Sequence, residues 1–108
     1  MKESSIEEKV SAWATANQVL HLKINVRGRK GWPDHLYACW GGMCLIEYKV
    51  PGESLAPIQE YVIGELAKQG IIVEVFDSSA DAINHLEKWK NEQKATFLAR
   101  RISCHGRV

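Results

Sequence analysis

Pro33-Asp34-His35-Leu36-Tyr37-Ala38-Cys39-Trp40-Gly41-Gly42-Met43-Cys44-Leu45-Ile46-Glu47-Tyr48-Lys49 is the stretch on which the fold turns. Two β-rich runs, His35 to Cys39 and Met43 to Lys49, are joined by Trp40-Gly41-Gly42, whose glycines supply the positive φ of a tight hairpin. The runs therefore pair antiparallel, which brings Pro33-Asp34 at the start of one beside Glu47-Tyr48-Lys49 at the end of the other. Glu47 and Lys49, two apart on a strand, point to the same face.

Outward from the hairpin the elements alternate. Ile6, Val10, Trp13, Ala14 and Asn17 recur at helical spacing and predict an amphipathic helix over about residues 3 to 17. Val19 to Val26 alternates like a strand, and Arg27-Gly28-Arg29-Lys30-Gly31-Trp32-Pro33 is a turn-forming loop with three positive charges. Beyond the hairpin, Pro51-Gly52-Glu53-Ser54 breaks the chain, and Leu55, Ile58, Val62 and Leu66 set the period of a second helix stopped by Gly70. Ile71 to Phe76 suits a buried strand, and Asp77 to Ser79 can cap a third helix reaching about Lys90. The order α-β-β-β-α-β-α predicts an α/β fold with a mixed four-stranded sheet flanked by helices, its last strand parallel to a neighbour through a right-handed crossover. Residues 91–108 have no clear period beyond Phe97-Leu98 and read as a tail to a domain of residues 1–90.

A chain of 108 residues forms one domain, with function on the face of a single core. No apolar stretch approaches the length of a membrane span, and the N-terminus leads into a charged amphipathic segment, so a cytoplasmic location is expected. Cys39, Cys44 and Cys104 are odd in number and irregular in spacing, which favours reduced thiols over a disulfide framework. A zinc site made from them with His105 is the weaker reading, because Cys39 and Cys44 straddle a hairpin turn. The net charge of +1 hides an asymmetry: eight Lys/Arg against twelve Asp/Glu up to Glu87, and six against one from Lys88 onward. Lys88, Lys90, Lys94, Arg100, Arg101 and Arg107 suit phosphate contacts, although charged C-termini are more often merely solvated.

Two carboxylates and an amine converge at Asp34, Glu47 and Lys49. Phosphodiester hydrolysis needs such a set: carboxylates hold a hard divalent cation, and the ammonium orients or helps to activate the attacking water. Tyr48 can offer its carbonyl as a further oxygen ligand. An E-x-K triplet alone is usually a solvated face, and Pro-Asp is a common turn dipeptide. The specificity lies in the sequence of features: a helix bearing Glu, a strand, Gly-x-Pro-Asp, a hairpin, Glu-x-Lys, then a helix bearing Gln.

The run Lys23 to Gln59, with Arg29-Lys30-Gly31-Trp32-Pro33-Asp34, Gly41-Gly42, Ile46-Glu47-Tyr48-Lys49, Pro51-Gly52 and Leu55-Ala56-Pro57-Ile58-Gln59, resembles the VRR-NUC family of the PD-(D/E)xK nuclease superfamily. The resemblance spans about residues 3 to 90. It implies a restriction-endonuclease-like core and a virus-type replication and repair nuclease, requiring Mg²⁺ or Mn²⁺, from a phage or bacterial setting. It also implies a homodimer that cuts branched DNA such as four-way junctions. Asp34 and Glu47 match the family's metal-binding carboxylates, Lys49 its catalytic lysine and Gln59 its motif glutamine; Lys23 matches a basic position near the site. A further acid, a candidate second-metal ligand, is expected on the first helix. At 100° per residue Glu7 lies beside Ala14 while Glu8 faces away, so Glu7 is the better candidate; Glu3 is geometrically allowed. Gln18 departs from the glycine common in the family before the first strand.

Arg27, Arg29 and Lys30 are candidate grips on the scissile strand, with a solvated loop an equal alternative for Arg27. His21, His35 and His85 read as structural or surface residues. Among the tryptophans Trp32 is the candidate for base stacking, while Trp40 at the hairpin tip and Trp89 are candidate dimer contacts. Two other functions compete with an active endonuclease: a DNA-binding module that has lost catalysis, and a small interaction protein in which Glu47 and Lys49 form surface pairs.

Overall fold

The computed structural model describes residues 2–105, with side chains through Arg101. Helix α1 (Glu3–Ala16) leads into β1 (Leu20–Lys23), the hairpin β2 (His35–Cys39) and β3 (Gly42–Tyr48), helix α2 (Pro57–Lys68), β4 (Val73–Phe76) and helix α3 (Ser79–His105). The element order is the one the periodicities predict. The strands lie in the order β1-β2-β3-β4, antiparallel except for the parallel pair β3–β4 joined through α2.

The sheet is packed on both faces, unequally. On one face Tyr37, Ile46 and Tyr48 meet Ile6, Val10 and Ala14 of α1 and Ala82 and Leu86 of α3, all essentially excluded from water. Burying each of the Ile, Val and Leu side chains among them contributes roughly 1.5–3 kcal/mol, which makes this layer the principal core. On the other face α2 covers only the β3–β4 half, through Val62 and Leu66 against Val73 and Leu45. The β1–β2 half of that face has no helix over it. Leu20 and Leu22 there are 56% and 45% exposed, and Met43, beside them at the start of β3, is 72% exposed.

Pro33 cannot donate to a ladder, and β2 begins two residues later at His35. β1 is accordingly shorter than the alternation over 19–26 predicts. Its last tie is the Ile24 N–H, which donates to the Asp34 carbonyl at 2.8 Å, before the chain leaves the sheet for the basic loop. The hairpin turn is Trp40-Gly41, both with positive φ (49° and 78°), the primed geometry favoured between twisted strands. Gly42 therefore lies in β3 rather than in the turn, where a Cβ would run into the Gln93 side chain of α3. Gln18 has φ 59°, the left-handed conformation that glycine adopts freely after a helix. A residue other than glycine at this turn costs about 1 kcal/mol or more.

Helix α3 differs most from expectation. It passes through Lys90 without a break, so residue 90 is not a boundary in the fold. Residues 91–101 lack Gly and Pro and are rich in Glu, Gln, Lys, Ala and Arg, good helix formers whatever their pattern. They show little period because few side chains in this stretch are covered. Phe97 packs edge-on to Trp40, with ring centroids 5.5 Å apart. Lys90 donates to the Asn17 carbonyl at 2.8 Å and Lys94 sits over the Trp40 ring, so two of the six tail cations are engaged within the fold. Lys88, Arg100 and Arg101 are exposed, while Arg107 and the side chains of Cys104 and His105 lie outside the described residues. Trp89 packs against the principal core. Cys39 and Cys44 are free thiols, and burial pushes the Cys44 thiol up to about 12.

Candidate active site

The site forms where the start of β2, the end of β3 and the N-terminal turns of α1 and α2 meet. Glu47 is on the α2 face of β3, and its side chain is held from α2. Gln59 Nε2 donates to Glu47 Oε1 at 2.7 Å, while Gln59 Oε1 accepts from the Ala56 N–H at 2.9 Å. Gln59 thus caps its own helix and fixes the carboxylate together. Glu47 is only 7% exposed, and its Oε2 is buried without a hydrogen-bond partner. Such an atom normally carries a large desolvation cost. Burial first, then the nearby charge of Asp34, pushes the Glu47 carboxyl up to about 7, against the opposing influence of Lys49; Glu3 and Glu7 add to the rise.

Asp34 is held in place through the basic loop. Gly31 (φ 84°) lies so close to α2 that a Cβ would come within 2.8 Å of the Ile58 carbonyl oxygen, and only glycine fits. Trp32 is half-buried against the Val62–Leu66–Val73 cluster with the Arg29 guanidinium 6.0 Å from its ring centre. Trp32 therefore anchors the loop, which is a different place from a free stacking platform. Lys23, Arg29, Trp32 and Asp34 line a groove leading past the site, and Arg27, Arg29 and Lys30 are exposed along the loop.

Glu7, not Glu8, turns towards the sheet. Its Oε1 is 2.9 Å from His35 Nε2 and its Oε2 is 3.7 Å from Lys23 Nζ. His35 Nε2 is also 3.4 Å from Asp34 Oδ1. One donor atom from each of Glu7, Asp34 and His35 lies within 4.8 Å of the others. Behind them His35 Nδ1 meets His21 Nε2 at 2.9 Å, and His21 Nδ1 meets Ser11 Oγ at 3.2 Å. Burial, followed by the influence of His35, holds His21 below the ordinary imidazole value, so it is neutral at pH 7.

His35 is 1% exposed and central to this arrangement, where the sequence suggests a structural or surface residue. The available signal was its position directly after Pro33-Asp34: strand alternation puts it on the face opposite Glu47, the face that α1 covers with Glu7. The Tyr48 side chain points into the same core, its hydroxyl 2.6 Å from that of Tyr37. His85 packs beside Phe76, away from these groups.

The donor set fits a divalent cation. It combines carboxylate oxygens, a buried carboxylate atom with no partner and a carboxyl whose charge is disfavoured until a cation balances it. Glu47 also makes a prediction about the fold. The folded protein binds its proton more tightly than the unfolded chain, so this group's stabilisation is complete below pH 4.5 and is lost as pH rises to about 7. The whole effect is about 3 kcal/mol. Urea denaturation in chelator is expected to show Glu47→Gln gaining on the wild type by about that much across this window. A difference independent of pH would mean that Glu47 is solvated like a surface acid.

No protein-family model matches the chain, and no curated protein matches it.

Proposed function

We propose that this protein is a metal-dependent endonuclease of the VRR-NUC type on a restriction-endonuclease-like core, hydrolysing phosphodiester bonds of branched DNA in replication, recombination or repair. The observation that carries this reading is the buried, unpartnered Glu47 Oε2 atom, with Gln59 holding its other oxygen and the charges of Asp34, Lys49 and Glu7 acting on it at one end of the sheet. Bound there, Mg²⁺ or Mn²⁺ would supply charge stabilisation at the phosphate and an acidified water. Asp34 and Glu47 would hold the ion, the Tyr48 carbonyl would offer a further oxygen, and Glu7 would serve a second ion. Gln59 keeps Glu47 in its rotamer, and Lys49 orients the attacking water. Arg27, Arg29, Lys30 and Lys23 border the groove and bind flanking phosphates; Trp32 serves them by fixing the loop.

A labelled four-way junction, a flap and a plain duplex, each incubated with Mn²⁺ or with EDTA, test the activity directly. Cutting of the branched substrates with Mn²⁺ alone is expected, and cutting that persists in EDTA refutes the metal-dependent mechanism. DNA binding without cutting under any divalent ion favours the silent binding module instead.

The enzyme acts in the cytoplasm as a homodimer. Support for self-association comes from the uncovered half of the sheet, where Leu20, Leu22 and Met43 adjoin a hollow lined by Leu36, Leu45, Ile71 and Ile72. Contiguous apolar surface of this kind marks interfaces. Trp40 and Trp89 are less suited to the contact, because Phe97 and the core already engage them. Light scattering is expected to give twice the 12.2 kDa chain mass, and Met43→Asp with Leu22→Asp to give the monomer, still folded because both sites are exposed. A wild-type monomer that cuts junctions normally would remove the dimer from the mechanism. Among the described residues no helix is long and apolar enough to cross a membrane.

A further inference from the structure

We infer that His35 supplies a nitrogen ligand to the ion bound between Glu7 and Asp34, and so biases this position towards Mn²⁺ and the heavier first-row ions over Mg²⁺. The inference rests on the nuclease reading above and goes beyond it, since carboxylate and carbonyl oxygens alone discriminate weakly between these ions.

Two observations meet here. The first is spacing. Cis ligands of an octahedral ion at about 2.1 Å lie about 3 Å apart. His35 Nε2 stands 2.9 Å from Glu7 Oε1 and 3.4 Å from Asp34 Oδ1, close to what such a shell requires. The second is access combined with rigidity. The His35 ring is 2% exposed and stacked near His21, whereas the Asp34 side chain is 42% exposed and opens the group to solvent.

The second layer suits a ligating imidazole. A metal-bound histidine donates its other ring N–H to a fixed acceptor. With Nε2 given to the ion, the His35 Nδ1–H donates to His21 Nε2, and the His21 Nδ1–H donates to Ser11 Oγ. In the metal-free protein the same chain runs in the opposite direction, ending with the His35 Nε2–H donated to Glu7 Oε1. Every ring nitrogen has a partner in either direction, so the imidazole can accept an ion without leaving a buried polar group unpaired. A nitrogen donor suits transition ions better than it suits Mg²⁺, which prefers oxygen and retains its water.

Pulsed EPR of the full-length protein loaded with Mn²⁺ alone tests the assignment without any turnover. The wild type is expected to show ¹⁴N coupling from a directly bound imidazole, replaced by ¹⁵N coupling after histidine labelling. In His35→Gln the coupling should vanish, and the ratio of Mn²⁺ to Mg²⁺ affinity, from competition titrations, should fall at least about tenfold. Should that variant fail to fold, the imidazole ¹⁵N spectrum of the wild type with Zn²⁺ decides: Nε2 ligation fixes the proton of one histidine, the one stacked on His21, at Nδ1. Bound Mn²⁺ with no nitrogen coupling, or coupling unchanged in His35→Gln, overturns the inference and leaves the nuclease reading standing. Failure to bind Mn²⁺ at all overturns that reading as well.

Discussion

Asp34→Asn is expected to lose Mn²⁺ binding and DNA cleavage together. An amide is a neutral and poorer donor to a hard dication, and position 34 is where the Glu7 carboxylate of α1 meets the His35 imidazole of β2. Removing one ligand should lower affinity by more than about 100-fold, the upper end of what losing a mere supporting partner costs. The fold should be unharmed, since the Asp34 side chain is 42% exposed and its structural contact is the main-chain bond from Ile24. Apo stability should even rise slightly above pH 7, because the Asp34 charge is the main electrostatic influence raising the Glu47 carboxyl. Calorimetric titration with Mn²⁺ and a nicking assay on the same preparation check this. Wild-type cutting by the variant would place the chemistry elsewhere on the protein.

The residues forming this end of the sheet were unequally legible in the sequence. Element order, the hairpin and the proximity of Asp34 to Glu47 followed from local signals: turn glycines, a proline that delays β2 and the period-two alternation of β3. Glu7 could be separated from Glu8 because helix geometry fixes a residue's angle once the buried stripe is known. Other features depend on contacts between elements distant in sequence. His35 became central only when α1 was laid across the sheet, because strand alternation tells which face a residue takes and not what stands opposite. The same holds for Gln93, which fills the space over Gly42, and for Phe97, whose partner Trp40 lies at the hairpin tip. The continuation of α3 past Lys90 was obscured for another reason. A helix that overhangs its core needs no apolar stripe, so periodicity is silent where propensity is not. The uncovered half of the sheet was likewise unreadable, since Leu20, Leu22 and Met43 carry the same alternation whether a helix, a second chain or water lies above them.

Lys49→Ala should fail in a different way from Asp34→Asn: the cleavage rate drops by about 10² to 10⁴, the range for a positioned proton-transfer group, while Mn²⁺ and DNA still bind. Lys49 is half-buried beside Glu47, and among the described residues it makes no ion pair, unlike Lys23 on Glu7 or Lys68 on Glu65. Its ammonium is therefore free to face a water or a phosphate. The backbone at this position is secured independently, by the Lys49 N–H donated to the Phe76 carbonyl at 2.9 Å, so truncating the side chain leaves the β3–β4 junction in place. One side effect has a definite sign. The Lys49 charge opposes the upward push on the Glu47 carboxyl, so without it that carboxyl titrates above about 7, and at pH 7 protons compete harder for the ligand. Single-turnover cleavage should thus be measured at about pH 8.5 with saturating Mn²⁺, where most of that competition is relieved. A rate loss confined to neutral pH and cured by alkali would show that Lys49 only tunes its neighbour. A loss that persists there, with Mn²⁺ affinity restored, assigns the ammonium to the attacking water.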